Sequence, residues 1–436
     1  MKNKIKNYLK FKIIFLTYQI FPKFFYYSFF RSRLTKKFSK TNHPLLPLFN
    51  PDFSKRFFSI RPNFRKCFVK NILIRSSLES RENIEKAKKY NSVPLITLLI
   101  SPTMRCNLRC KGCYALNYKK EDDLPYEAMD RVIEEAKEMG VLFFTILGGE
   151  PFLRQDLFDI YKKHSDAVFQ IFTNGTLINE ETVKKLIEAD NVILQISVEG
   201  LENDTDERRG AGTFKKTMKA MDILRKNRIP FGYSACVTRK NAEVVVSDEF
   251  VDLMIDKGAL IGWYFLYMPV CGDKNIDLMP TPEQRNHQRI RLDYIRTNKP
   301  IFVVDFWNDA PFVGGCIAAK YYCHINNFGD VEPCIFTHFS QANIKNTSLK
   351  EALNCQFFKE IRARQPYSPN LLMPCMLIDH PKVSRELYNL CKPYPTHSAA
   401  QILFEDLKDD LDKYSYNVHQ IFDKIWEEDK NRKDKD

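Results

Sequence analysis

Short apolar runs alternate with amphipathic segments through the middle of this chain, and this alternation constrains the fold more than any other feature. The β-rich runs lie at residues 94–100, 141–147, 168–173, 192–197, 231–237 and 263–267. Segments with helical periodicity lie between them at residues 126–138, 180–189, 214–226 and 248–257. Strands that alternate with helices form parallel sheets through right-handed crossovers. The pattern predicts an α/β fold, a partial (β/α)6 TIM-like barrel.

A chain of 436 residues is long enough for a barrel with smaller attachments. The sequence on either side of the barrel divides into further regions. We predict a basic aromatic leader, a connecting segment, a core barrel, a small cysteine-bearing C-terminal extension and a charged C-terminal helix. In that order, these regions span residues 1–63, 64–92, 93–300, 301–395 and 396–436.

The formal net charge of +13 is concentrated in the leader. Residues 1–51 contain no acidic side chain, and their Lys and Arg residues are interleaved with Phe, Ile and Leu. Both properties favour an anionic membrane surface, so we predict peripheral membrane contact through residues 1–40. Packing of the leader on the barrel and docking of a peptide are the alternatives. The charge does not extend over the barrel, so nucleic acid is not an expected partner.

Twelve cysteines occur in a chain that has no convincing signal peptide, because Lys12, Pro22 and Lys23 interrupt the apolar N-terminal stretch. We therefore expect a cytoplasmic protein whose clustered thiols bind metal, with a peripheral position at the inner face of the membrane as the alternative. Three of them form a C-x3-C-x2-C pattern, and we call them the cluster-loop cysteines: Cys106, Cys110 and Cys113. This spacing suits three irons of one cubane and leaves the fourth iron open. The alternative is zinc, which usually takes four protein ligands.

Polar and glycine-rich elements follow the first four predicted strands. The cluster-loop cysteines follow the first, Gly148-Gly149-Glu150-Pro151 the second, Asn174 the third, and Ser197 to Glu199 the fourth. The carboxyl ends of parallel barrel strands meet at one mouth, so we expect these residues to share one site.

These motifs resemble the radical S-adenosylmethionine (SAM) superfamily. The resemblance implies a [4Fe-4S] cluster on the cluster-loop cysteines that binds and reductively cleaves SAM, giving a 5′-deoxyadenosyl radical that abstracts hydrogen. It also implies a one-electron reductant such as flavodoxin or ferredoxin. The SAM-binding residues it implies are Gly148, Gly149, Glu150, Pro151, Asn174, Ser197, Glu199 and Arg209, with Arg208 as a weaker candidate than Arg209. Gly112 replaces the aromatic residue that many members carry before the third cysteine, and Tyr114 is the candidate for stacking on adenine.

A second cysteine region resembles the SPASM or twitch extension, which binds auxiliary iron-sulfur clusters. The resemblance favours one auxiliary cluster on three cysteines that we call the auxiliary trio: Cys316, Cys334 and Cys375. Gly329 is expected to turn a hairpin between the first two of them. The fourth ligand stays open among Cys323, Cys355, Cys391 and His338, or is absent; Cys236 and Cys271 are assigned to packing.

The sequence leaves two substrate classes open. Peptide or protein maturation is common among SPASM-like enzymes, whereas the apolar basic leader favours a membrane lipid. Aromatic residues at the end of the sixth run, Trp263 to Tyr267, are candidates for an apolar pocket or for the core. A zinc or nucleic-acid-binding module is a distant alternative, since it would not require the Gly148 to Pro151 turn.

Overall fold

The structure is a computed structural model that describes residues 47, 50–75, 79, 82–85, 87, 94–272 and 274–433. The strands are β1 (Thr97–Ile100), β2 (Phe143–Ile146), β3 (Val168–Thr173), β4 (Val192–Ser197), β5 (Phe231–Val237), β6 (Ile261–Leu266), β7 (Phe302–Asp305), β8 (Tyr322–Ile325), β9 (Val331–Glu332), β10 (Phe339–Ser340) and β11 (Tyr394–Pro395). The α-helices are α1 (Pro51–Ser59), α2 (Pro62–Phe68), α3 (Tyr126–Glu138), α4 (Leu157–Lys163), α5 (Glu180–Ala189), α6 (Glu202–Arg209), α7 (Thr213–Lys226), α8 (Asp248–Lys257), α9 (Pro282–Asn298), α10 (Ala310–Val313), α11 (Leu349–Ala352), α12 (Gln356–Ala363), α13 (Pro381–Cys391) and α14 (Lys408–Lys433).

Nine strands form one sheet in the order β7-β6-β5-β4-β3-β2-β1-β8-β9. Neighbouring strands from β1 to β7 pair in parallel, and helices form the crossovers. The predicted α/β fold class is confirmed. The six predicted runs correspond to β1 to β6, with boundaries that differ by no more than three residues.

The sequence analysis missed β7, at one end of the sheet, and did not predict that β8 and β9, the hairpin strands on either side of Gly329, extend the sheet at its other end. The β8 strand pairs in parallel with β1 and antiparallel with β9, so the C-terminal extension is part of the central sheet. The polar residue His324 interrupts the apolar pattern of β8, by which the other strands were predicted. His324 is fully buried, and its two ring nitrogens lie 2.6 Å from Glu332 Oε2 and 2.7 Å from Ser101 Oγ. The predicted glycine turn is present, because Gly329 joins β8 to β9 with a φ of +90°.

Helix boundaries follow from side-chain caps and glycines. Ser247 begins α8 by accepting a hydrogen bond from the backbone nitrogen of Phe250 at 3.2 Å. Gly258 ends the same helix with a φ of +106°, a conformation that glycine adopts without strain. Such signals are local, and the predicted range of this helix, 248–257, is the observed one.

The helices α1 and α2 cover the end of the barrel at which the strands begin. Phe53, Phe57 and Phe64 are buried there against Val168 and Leu260. In addition, the Arg56 guanidinium donates to the carbonyl oxygen of Ile255 at 2.8 Å. Residues 51–75 therefore form a floor for the barrel.

The predicted end of the leader at residue 63 lies within α2. The predicted membrane contact of residues 1–40 falls outside the described residues. Among the helices that the structure does describe, none is long and apolar enough to span a membrane.

Candidate active site

A cavity of about 420 Å³ lies inside the barrel and opens at the carboxyl ends of the strands. All three cluster-loop cysteines line it. They lie on the loop after β1, where backbone and side-chain donors approach the sulfurs. The backbone nitrogen of Leu108 and Asn174 Nδ2 lie 3.4 Å and 3.8 Å from Cys106 Sγ, and Arg209 Nη1 lies 3.9 Å from Cys110 Sγ.

Burial raises the pKa of Cys106 to about 11 and also raises the pKa of Cys113. At neutral pH these thiols therefore lose their protons only when a cation binds them. Within the described parts of the chain, no three His, Cys, Asp or Glu side chains are grouped so as to hold a single metal ion. Three thiols that face one open cavity fit a cluster with one free iron.

The Gly148 to Pro151 turn packs against the cysteine loop backbone to backbone. Gly149 N donates to the Thr103 carbonyl oxygen at 2.9 Å, and Glu150 N donates to the Arg105 carbonyl oxygen at 2.8 Å. A Cβ atom on Gly149 would lie 2.0 Å from the same Arg105 oxygen. Only glycine allows this approach, which exposes the backbone of Gly148 and Gly149 to the cavity.

Glu150 and Pro151 do not line the cavity. The Glu150 carboxylate is fully buried and accepts hydrogen bonds from Thr173 Oγ1 at 2.8 Å, Asn174 N at 2.8 Å and Phe152 N at 3.1 Å. Its role in the structure is to join the loops after β2 and β3. The binding of SAM's ammonium group by Glu150 stays a prediction.

Asn174 and Ser197 line the cavity at the ends of β3 and β4. Asn174 Nδ2 also donates to Asn107 Oδ1 at 2.8 Å, which fixes the amide beside the cysteine loop. Both residues are therefore placed where the SAM site is expected.

Glu199 lies behind the cavity wall and holds two arginines at its surface. Its Oε1 accepts hydrogen bonds from Arg208 Nη1 at 2.7 Å and Arg209 Nε at 2.6 Å, and Oε2 accepts from Cys236 N at 3.0 Å. Although burial opposes ionisation, the two guanidinium groups hold the pKa of Glu199 below its ordinary value. Both arginines line the cavity. Because two cations share one carboxylate, this wall carries positive charge suited to a carboxylate ligand.

Tyr114 lines the cavity, and its hydroxyl accepts a hydrogen bond from Gly148 N at 3.1 Å. It therefore links the cysteine loop to the glycine turn, while adenine stacking stays a prediction. Tyr267 explains why position 112 is glycine: a Cβ there would lie 2.4 Å from the Tyr267 ring. An aromatic ring from the end of β6 thus occupies the space beside the third cysteine.

The cavity continues towards the barrel floor as an apolar space that we call the lumen pocket. Its walls include Thr97, Thr145, Gln170, Phe172, Trp263 and Phe265. The predicted apolar pocket at the end of the sixth run therefore has a counterpart in the structure. The inward position of Gln170 was missed, because strand alternation alone does not show which face of a parallel strand points into the barrel.

Comparison with known proteins agrees with this geometry. The radical SAM superfamily model matches residues 100–241, and a model for an iron-sulfur cluster-binding domain, SPASM, matches residues 316–376. The chain belongs to the radical SAM superfamily. It is a radical SAM enzyme with a [4Fe-4S] cluster, SAM and a SPASM auxiliary iron-sulfur region.

Similar proteins of this superfamily include two curated relatives. An AdoMet-dependent heme synthase of Methanosarcina barkeri is 26% identical over 60% of this chain and 82% of its own length. A mycofactocin maturase, MftC, of Mycolicibacterium smegmatis is 28% identical over 63% of this chain and 73% of its own length. SuiB of Streptococcus suis bound to the precursor peptide SuiA has the same fold, with a TM-score of 0.58 and 21% identity over 76% of this chain and 80% of SuiB.

In this radical SAM enzyme the three cysteines of the auxiliary trio come from separate segments of the chain. Burial, and then the nearby Cys334, raise the pKa of Cys316, which reaches about 12. Burial also raises the pKa of Cys375, and the charges of Asp379, Cys316 and Cys334 add to this effect. These mutual effects indicate that the three thiols lie in the same region of the fold. Their assignment as ligands of one cluster stays a prediction.

The candidate fourth ligands have other neighbours. Cys323 is fully buried, and its pKa is raised by burial and by Cys355. His338 Nε2 lies 2.8 Å from the Ile335 carbonyl oxygen, and Nδ1 contacts His397. The sequence analysis missed Asp379, whose Oδ2 accepts a hydrogen bond from Cys375 N at 3.0 Å.

A thin wall separates the auxiliary trio from the cavity. Cys316 and Cys334 pack against Ile317, Tyr322 and Phe336, and these three side chains also line the cavity. One chamber therefore has the cluster-loop cysteines at its mouth and the auxiliary region behind a single layer of side chains.

Proposed function

We propose that this enzyme modifies a peptide or protein by abstracting hydrogen from an unactivated carbon. The observation that carries the proposal is that one cavity joins the cluster-loop cysteines, two arginines and an apolar pocket. The similarity to a mycofactocin maturase and the shared fold with a peptide-bound enzyme support a peptide substrate. We also propose a one-electron donor such as flavodoxin or ferredoxin.

When bound, the cluster supplies an electron and SAM supplies a carbon radical that abstracts hydrogen. The protein's own residues bind and orient these groups. Arg208 and Arg209 would hold the carboxylate of SAM, and the exposed backbone of Gly148 and Gly149 would receive its ammonium group. The aromatic walls exclude water and thereby protect a reactive intermediate from side reactions.

Modification of a membrane lipid is the second candidate. One observation favours it: the cavity reaches Ile96, which is 63% exposed and lies at the start of β1. The chain enters the barrel at the same end, through α1 and α2. A lipid chain would therefore reach the lumen pocket past the exposed Ile96.

The test begins with anaerobically reconstituted enzyme and a reductant. The wild type should release 5′-deoxyadenosine from SAM, and a variant with alanine at all three cluster-loop cysteines should not. Cys67→Ala is the matched control, because Cys67 packs at the barrel floor and does not line the cavity. Full iron content and full SAM cleavage in the triple variant would contradict the assignment.

The substrate class is tested with deuterium-labelled peptide and lipid extracts from one culture. Hydrogen abstraction transfers the label, so mass spectrometry should find deuterated 5′-deoxyadenosine with the peptide fraction. A label that appears only with the lipid fraction would select the second candidate.

A further inference from the structure

The cavity that contains the lumen pocket extends along most of the length of the surrounding strands. Phe143, Thr145 and Leu147 all line the cavity, so it follows β2 over four residue steps. At about 3.3 Å per residue, this distance is about 13 Å. The pocket is therefore deep enough for a large side chain that enters from the mouth.

Aromatic rings from β3, from β6 and from the residue after β7 form one wall of the lumen pocket. Trp263 and Phe265 stack with their centroids 5.9 Å apart and an interplanar angle of 6°. Phe172 meets them edge-on at 6.1 Å and 5.8 Å. Phe306 lies 5.6 Å from Phe265. Such walls favour a planar guest, because aromatic groups interact well in stacked and edge-to-face arrangements.

Hydrogen-bonding side chains from β1, β2 and β3 form another part of the lining. Thr97 Oγ1 lies 3.4 Å from Thr145 Oγ1, which donates to Gln170 Oε1 at 3.4 Å. Gln170 is only 2% exposed and lines the cavity. Its amide faces the cavity rather than being sealed in the core. Such an amide can donate a hydrogen bond to a guest and accept one from it.

The distribution of charge around the lumen pocket further limits the chemical class of guest that it can bind. Arg208 and Arg209 provide all the formally charged side chains among the described residues that line the cavity, apart from the thiols, and they lie at its mouth. A charged guest in the deeper part would lose its hydration without gaining an ion pair, which is unfavourable. The pocket therefore selects for an uncharged ring with one hydrogen-bonding group.

We propose that the lumen pocket binds an aromatic side chain of the substrate that carries a hydroxyl group, and that Gln170 pairs with this hydroxyl. The inference rests on the proposed peptide function and names the residue that the peptide presents. A phenol suits both orientations of the amide, because its hydroxyl donates and accepts. Phe172 and Trp263 favour an aromatic ring in the pocket, and Gln170 favours a hydroxyl group on that ring.

Titration calorimetry measures the affinity of side-chain analogues for the oxidised, reconstituted holoenzyme with SAM bound. The probes are 4-methylphenol, toluene and n-butylamine. We expect 4-methylphenol to bind about tenfold more tightly than toluene, the usual scale of one hydrogen bond. We expect no binding of n-butylamine.

Variants then locate the binding site. Gln170→Leu should remove the preference for 4-methylphenol while changing the affinity for toluene less than about twofold. Gln170→Met, which retains the side-chain length, should also remove this preference. Phe172→Leu should weaken both aromatic probes. Gln356→Leu, at an exposed glutamine that begins α12, is the matched control and should behave as the wild type.

The readout needs neither SAM cleavage nor a peptide, so failure here differs from failure of the proposed function. Equal affinities for 4-methylphenol and toluene, or a preference that survives both Gln170 variants, would overturn the inference. Tighter binding of n-decanol than of 4-methylphenol would also overturn it and would assign the pocket to a lipid chain.

Discussion

Arg285 and Asp379 form a buried ion pair whose disruption gives a demanding test of the structure. The side chains are 1% and 0% exposed, and Arg285 Nη1 lies 2.7 Å from Asp379 Oδ1. Although burial opposes the charge, Asp379 holds the pKa of Arg285 above its ordinary value. The same carboxylate anchors Cys375 N, and the guanidinium lies 5.2 Å from the Phe422 ring. The pair thus connects α9, a cysteine of the auxiliary trio and α14.

The predicted perturbation is Arg285→Met, which keeps the length of the side chain but leaves the Asp379 carboxylate buried without its cation. Breaking such a pair from one side costs about 3–5 kcal/mol. Loss of the cation–π contact adds about 1 kcal/mol. The double variant Arg285→Met/Asp379→Asn removes both charges, so it should regain most of this loss. We expect a coupling energy of about 3 kcal/mol.

Urea unfolding of the wild type, both single variants and the double variant measures this coupling as a double-mutant cycle. Iron analysis provides a second readout. Arg285→Met should lower the iron held in the SPASM region, because Asp379 orients the backbone at Cys375. Arg289→Met, on the same helix, is the matched control, since Arg289 is partly buried and its Nε donates to Asn286 Oδ1 at 3.1 Å rather than to a buried carboxylate. Strictly additive single-variant effects would refute the reasoning.

Three further predictions concern separate regions. The triple alanine variant of the cluster-loop cysteines should retain iron and cluster absorption, because we predict that the auxiliary trio holds a second cluster; a folded variant without iron would refute that prediction. The full chain should float with anionic liposomes, whereas a chain beginning at Asn63 should not; equal behaviour would refute membrane contact by the leader. Burial lowers the pKa of His397 to about 4, so only the unfolded state takes up its proton between about pH 6.5 and 4. Stability should therefore fall as the pH decreases through this range, and chemical unfolding of His397→Gln should show a smaller fall; identical pH profiles would contradict the assignment.

Local patterns account for the parts of the fold that the sequence predicted. Strands β1 to β6 and helix α8 were visible because apolar periodicity, capping residues and glycines act over a few neighbouring positions. Strand β7 was missed although residues 302–304 form an apolar run, whereas β8 carries a buried histidine that weakens the local signal. Their place in the sheet depends on partners far away in the chain.

The candidate site divides in the same way. The spacing of the cluster-loop cysteines and the glycine turn identified the cofactor chemistry, because a cluster needs several thiolates within one short loop. The sequence did not show that Glu150 and Glu199 lie behind the wall rather than in it. Their hydrogen-bond partners come from neighbouring strands and loops, which only the folded barrel brings within reach.

The sequence alone determined the order of β1 to β6 with the helices between them and the cluster-binding spacing of the cysteine loop, since both depend on residues close together in the chain. Tertiary structure decided which side chains face the cavity. Tyr267 fills the space beside Gly112, and Asp379 meets both Arg285 and Cys375. Contacts over such separations become favourable only after chain folding has offset the entropy of closing long loops, so no local pattern records them.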